Sequence, residues 1–163
     1  MKLSSARPSP FTSHGIHAGH SARKGLLSFR ILEVGYLPNG TDWHFANVLS
    51  PFWRIYYNNA LGWNVRHAGR KYPLGPDHLL LIPDETLFDC IGEKGISHLW
   101  IHFNPPLERT TDLTRPHIVA LDETLQHTVA ELLERRAAPR AAGLMHTAAA
   151  LLHLAFARLE HAP

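Results

Sequence analysis

The sequence predicts a mainly β protein: a β-barrel or double sheet followed by two antiparallel C-terminal α-helices. Three observations carry this. Short apolar segments recur about every ten residues between Gly and Pro up to Pro116, the rhythm of a barrel or sandwich. After Pro116 the apolar period lengthens to that of a helix. A hydrophobic share of 45% against 18% charged residues in 163 residues provides a sizeable core for one domain.

The strands follow in order. Leu27, Phe29 and Ile31 alternate with Ser28 and Arg30, and Val34-Gly35-Tyr36 continues the run to the turn Pro38-Asn39-Gly40. Phe52–Tyr57 is dense in aromatic and β-branched residues, and Trp63–His67 ends at Ala68-Gly69. Leu79–Ile82 is a short continuous apolar run closed by Pro83, Phe88–Ile91 is a further strand, and His98–Phe103 alternates cleanly. Ile118, Leu121, Leu125, Val129 and Leu132 then form a helical stripe, with Asp122 as N-cap. Pro139 separates it from a second helix whose apolar surface is wider than one neighbour demands. Leu144, Leu151, Leu152 and Leu159 of that helix are therefore expected at a homodimer contact. The chain divides into a basic arm (1–25), a barrel (26–116) and a helix pair for dimerisation (117–163).

Charge narrows the function. The net charge is +2, but Lys2, Arg7, Arg23 and Lys24 stand in the arm without an acid, leaving a body of −2. Phosphate binding needs clustered cations, so the body is not a nucleic-acid clamp. The single cysteine, Cys90, excludes an intrachain disulfide and a thiolate zinc site, and fits a reducing compartment. No apolar run has the length of a membrane span, and the N-terminus lacks a signal-peptide core, so a cytoplasmic protein is expected.

Thirteen histidines invite a metal hypothesis. A metal-binding barrel of the cupin type offers two histidines at i and i+2, and no such pair occurs. His98 and His102 share a face but stand roughly 13 Å apart at strand rise. His14, His17 and His20 lie on the arm, where adventitious metal capture is the expected behaviour. No metal and no cofactor is expected. Nucleophile motifs are also lacking: no Gly-x-Ser-x-Gly elbow and no phosphate loop occur, and Asp89 beside Cys90 raises the thiol pKa.

The strand His98–Phe103 is more informative. Leu99, Ile101 and Phe103 form its core face, while His98, Trp100 and His102 form the other. An indole flanked by imidazoles suits a half-polar pocket wall that stacks a sugar face and bonds its hydroxyls; equally, Trp100 could fill the barrel. Arg54 and Tyr56 share a face of their strand, and a guanidinium in so apolar a segment needs a partner. Asp89 is a candidate partner for Arg54, and an anionic or polyhydroxylated ligand is the alternative.

The blocks Ser50–Tyr57, Gly62, Gly75–Thr86 and His98–Pro105 together resemble the N-terminal sensor domain of AraC/XylS-type transcription regulators, from about Leu26 to the end. The resemblance implies a cupin-like barrel followed by a helix pair, effector binding and dimerisation. Trp100 and His98 fall where a sugar-responsive member stacks its sugar on a tryptophan beside a ligand histidine. Another of its ligand positions, a tyrosine, is Cys90 here; a common histidine is Phe88; and His44–Asn47 lacks the expected arginine. The family's N-terminal arm can fold over its effector. Such regulators also carry a helix-turn-helix DNA-binding module, which this chain, ending at Pro163, is expected to lack, being an excised domain or a stand-alone relative.

The expected function is thus sensing of a small effector, a carbohydrate or derivative, through His98, Trp100, Arg54, Tyr56 and His102, without catalysis. DNA is reached only through the missing module. A small metal-dependent cupin enzyme, an isomerase or dioxygenase, is the competing class; a dimerisation module with a filled barrel is a third.

Overall fold

The computed structural model describes residues 28–92, 95–106, 113–135 and 141–159. The basic arm, with His14, His17 and His20, lies outside the described residues. Among the described residues, nine strands form two antiparallel sheets in a cupin-like arrangement. The five-stranded sheet has the order β1 (Arg30–Gly40), β8 (Ile96–Asn104), β3 (Trp53–Asn58), β6 (His78–Ile82), β9 (His117–Ala120). The four-stranded sheet has the order β2 (Phe45–Val48), β7 (Phe88–Ile91), β4 (Asn64–His67), β5 (Arg70–Pro73). Ala68 and Gly69, with φ of 47° and 76°, make the two-residue turn between β4 and β5.

Alternation along the central strands creates two cores. Trp53, Ile55, Leu79, Leu81, Leu99, Ile101 and Phe103 face the helices, whereas Tyr56, Leu80 and Ile82 face the second sheet. Strand β6 is covered on both faces, which is why its sequence is continuously apolar. Between the sheets Trp63 is completely buried, and Trp43 stacks on it with ring centroids 4.9 Å apart. Gly40 and Gly92 make room for that indole: a Cβ on either would approach its ring to 2.5 and 2.4 Å.

Helix α1 (Glu123–Arg135) starts at Asp122, whose Oδ1 accepts the Leu125 backbone N–H at 2.9 Å. Arg158 near the end of α2 (Ala141–Leu159) donates to Asp122 Oδ2 at 2.7 Å, so the start of α1 meets the end of α2 and the pair is antiparallel. Phe156 packs on Trp53, Phe103 and Phe29.

Three expectations are corrected. Ile118 does not open the helical stripe: it lies half exposed in β9, which pairs with β6, so residues 117–120 belong to the sheet. A four-residue strand between Pro116 and the cap is too short for its period to be read. Strand β2 went unrecognised because its exposed edge position removes the apolar alternation. Leu151 and Leu152 are both 0% exposed within the chain's own core, because the middle of α2 is packed against both the sheet and α1. They are unavailable for a subunit contact, and only Leu144 and Leu159 of the four remain partly exposed.

Candidate ligand-binding site

A cavity of about 480 Å³ opens between the two sheets. Arg54, Tyr56, His98, Trp100 and His102 all line it, so the interior is not filled by Trp100. Strand register explains the convergence. Arg54 pairs with His102, Tyr56 with Trp100 and Asn58 with His98 across β3 and β8, so both strands turn the same face inward. Glu33, Leu37, Asp42, Trp43, Phe45, Val48 and Cys90 complete the lining. These come from β1, β2, β7 and the β1–β2 connection; of them, Cys90 and Phe45 stand at or within ligand positions that the family resemblance implies.

His98 is part of the wall's framework. It is 3% exposed and surrounded by Trp43, Tyr56, Trp63 and Trp100, with centroids at 4.9 to 5.5 Å. Its Nδ1–H donates to Asn58 Oδ1 at 2.7 Å, fixing the tautomer with Nε2 as acceptor. Burial, reinforced by nearby His102, lowers its pKa to about 3, so the ring is neutral. Trp100 stacks on this imidazole at an interplanar angle of 23°.

His102 lies nearer the mouth, with Nδ1 2.7 Å from Glu33 Oε2. Its pKa is lowered by burial and then by Arg54, against the opposing pull of Glu33. The imidazole is therefore neutral at neutral pH, and the contact is a hydrogen bond to a carboxylate. Tyr56 is buried and its hydroxyl is held protonated, chiefly by desolvation, while bonded to Arg54. The Cys90 thiol is pushed up to about 12, first by burial and also by Asp89, against the pull of Arg54, which leaves it inert as a nucleophile.

Arg54 is 7% exposed. Its Nη2 donates to Ser50 Oγ, and its guanidinium lies over the rings of Phe52 and Phe88 at 4.8 and 5.3 Å. The expected partnership with Asp89 is not formed. Asp89 Oδ2 pairs with Arg66 Nη2 at 2.8 Å and Oδ1 accepts the Asn47 N–H at 2.9 Å, pointing the carboxylate away from Arg54. Among the described residues, no three His, Cys, Asp or Glu side chains cluster as a metal site, and no helix is long and apolar enough to cross a membrane.

No curated protein matches the chain. Solved structures of ToxT from Vibrio cholerae are similar to it. ToxT of strain O395 is 10% identical, with a TM-score of 0.48 over 78% of this chain and 54% of that one. An unsaturated fatty acid-bound form from strain SCE256 is 14% identical, with a TM-score of 0.47 over 66% of this chain and 46% of that one. The chain spans about half the length of the ToxT chains it matches. Residues 31–155 match the sequence model of the AraC-like ligand binding domain. With that match covering most of the chain, two facing sheets, a helix pair and an internal cavity, this protein belongs to the AraC-like ligand-binding domain family.

Proposed function

We propose that this domain is the effector sensor of an AraC-type transcription regulator and works by binding, without catalysis. The observation that carries the reading is the cavity, whose volume suits a small organic molecule. Its occupant would contact Trp100 and shift the population of two arrangements of the regulator through its differential affinity for them. Homodimerisation and DNA contact through a separate module belong to this reading, as does a cytoplasmic location. The subunit contact on α2 would fall to Leu144, Met145 and Leu159.

The lining bears on the ligand class. A free sugar needs hydrogen-bond partners around its whole edge. In this cavity His98 Nδ1 is committed to Asn58, and Leu37, Trp43, Phe45 and Val48 supply apolar surface. Arg54, Tyr56, His102 and Glu33 form one polar cluster across β1, β8 and β3. This asymmetry favours an amphipathic ligand, with an apolar body and one polar end, over the carbohydrate expected from the sequence.

A thermal-shift screen of small sugars and of amphipathic organic molecules, run on wild type and Trp100→Ala, tests the proposal. A true occupant raises the melting temperature of the wild type and much less that of the variant, because stabilisation follows occupancy of the folded state. Equal shifts in both proteins would move the site elsewhere.

A further inference from the structure

The hairpin of β4 and β5 is a basic projection at the edge of the four-stranded sheet. Residues 66–71 include Arg66, His67, Arg70 and Lys71, and the register sets Arg66 opposite Lys71 and His67 opposite Arg70. Like charges directly opposed across a strand pair disfavour the hairpin that holds them. The turn adds strain, because Ala68 holds a φ of 47°, a left-handed conformation that Gly, Asn and Asp adopt more readily. Charges that only guard an exposed edge belong on the edge strand β5, yet Arg66 stands on the inner strand β4. Two local conflicts at one turn point to a functional constraint.

The setting of the tip gives the partner's chemistry. Asp89 answers Arg66, whose Nε and Nη2 donate to its Oδ2 at 3.1 and 2.8 Å. Arg70 and Lys71 are exposed and form no ion pair among the described residues; Arg70 lies over the Tyr72 ring at 5.3 Å, which leaves its charge in place. The Nδ1–H of His67 donates to the Leu87 carbonyl at 2.8 Å, holding the tip beside an apolar side chain that is 52% exposed. We infer that this hairpin docks an extended acidic protein segment that also carries an apolar residue. Its carboxylates would meet Arg70 and Lys71, and its apolar side chain would meet Leu87. A nucleic acid is the poorer fit. Apart from Arg66, Arg70 and Lys71, residues 26–163 hold nine basic and fourteen acidic side chains, a field that repels a long polyanion. A short segment lying within a Debye length of the tip, about 10 Å, responds mainly to the local cations.

The test titrates the protein into a short labelled peptide of glutamate–glutamate–leucine repeats, its glutamine counterpart and a DNA duplex, followed by fluorescence anisotropy at low salt. The acidic peptide should bind wild type about tenfold or more tightly than the glutamine peptide, and more tightly than the duplex. The double change Arg70→Glu with Lys71→Glu should weaken the acidic peptide by about tenfold or more, whereas Arg30→Glu, at an exposed cation of β1, should leave it nearly unchanged. Where the double variant fails to fold, backbone amide shifts of wild type decide: residues 66–71 and Leu87 should move as the acidic peptide is added. An equal loss in Arg30→Glu, or amide shifts spread away from the hairpin, would reduce the effect to bulk charge and overturn the inference. A duplex that binds more tightly than the peptide and loses affinity in the double variant would overturn the choice of a protein partner, and absence of peptide binding would overturn the docking surface itself.

Discussion

The indole of Trp100 lies across Gly35, its cross-strand partner on β1: a Cβ on Gly35 would sit 2.0 Å from Cε2 and Cζ2 of the ring. The glycine is needed at that position for want of space. Gly35→Ala should push the indole off its stack on His98, at a cost of about 1–3 kcal/mol for an overpacked site. Removing the indole should relieve the clash, so the cost of Gly35→Ala should largely vanish in a Trp100→Ala background. Urea unfolding of the two single variants and the double variant measures this; additive losses would show that the residues do not share one space.

Half of the cavity could be read from the chain alone, and the division has a physical basis. Strands β3 and β8 are central, alternate strictly and pair in register, so Arg54, Tyr56, His98, Trp100 and His102 announced a common face. The other half sits where alternation fails. A register shift in β1 between Ile31 and Glu33 breaks the period before Glu33. Trp43 lies between strands, and Phe45 is on an exposed edge strand. The family blocks and the double sheet were legible because they rest on buried strands. The partner of Arg54 was not, since the choice between Asp89 and a ligand depends on which way a carboxylate points. The wide apolar surface of α2 showed that it packs on more than one neighbour, but not that both neighbours belong to the same chain.

Burial of Leu151 and Leu152 against the sheet core predicts that they govern folding. Each Leu→Ala change should cost about 2–5 kcal/mol, the range for a cavity in a closed core. Leu152→Glu should abolish the cooperative melting transition. Ala150→Glu, at an exposed position of the same helix, should leave the melt nearly unchanged. Circular dichroism melts with light scattering discriminate the outcomes: a folded monomer from Leu152→Glu would contradict the observed packing.

Asp122 serves two functions with two oxygens, capping α1 through Leu125 and tying α2 through Arg158. The backbone N–H of Leu125, followed by Arg158, holds its carboxyl below the usual range. Asp122→Asn keeps an acceptor for the cap and gives up the charge pairing, whereas Asp122→Ala loses both. The melting temperature should therefore fall by a few degrees in the alanine variant and by less in the asparagine variant. Arg158→Ala should lower it little further in the asparagine background. Equal melting temperatures for the alanine and asparagine variants would assign the whole effect to the ion pair.

Acid sensitivity should begin at the histidines. Burial holds His98 at about 3 instead of its ordinary 6.5, so between those values the unfolded chain binds a proton that the folded chain refuses. Stability must then fall as pH drops below 6.5, with a slope approaching about 1 kcal/mol per pH unit for one such group. His102 and His117, lowered mainly by burial, act in the same direction. Asp77, Asp89 and Asp122 are also lowered, but from 3.8, so their contribution is lost only at more acidic pH. Urea midpoints followed from about pH 7 to about pH 5 isolate the histidine window. His98→Gln retains a donor for Asn58 but cannot titrate; it should be less stable than wild type at neutral pH and show a flatter decline. A slope as steep as that of wild type would assign the acid sensitivity to other groups.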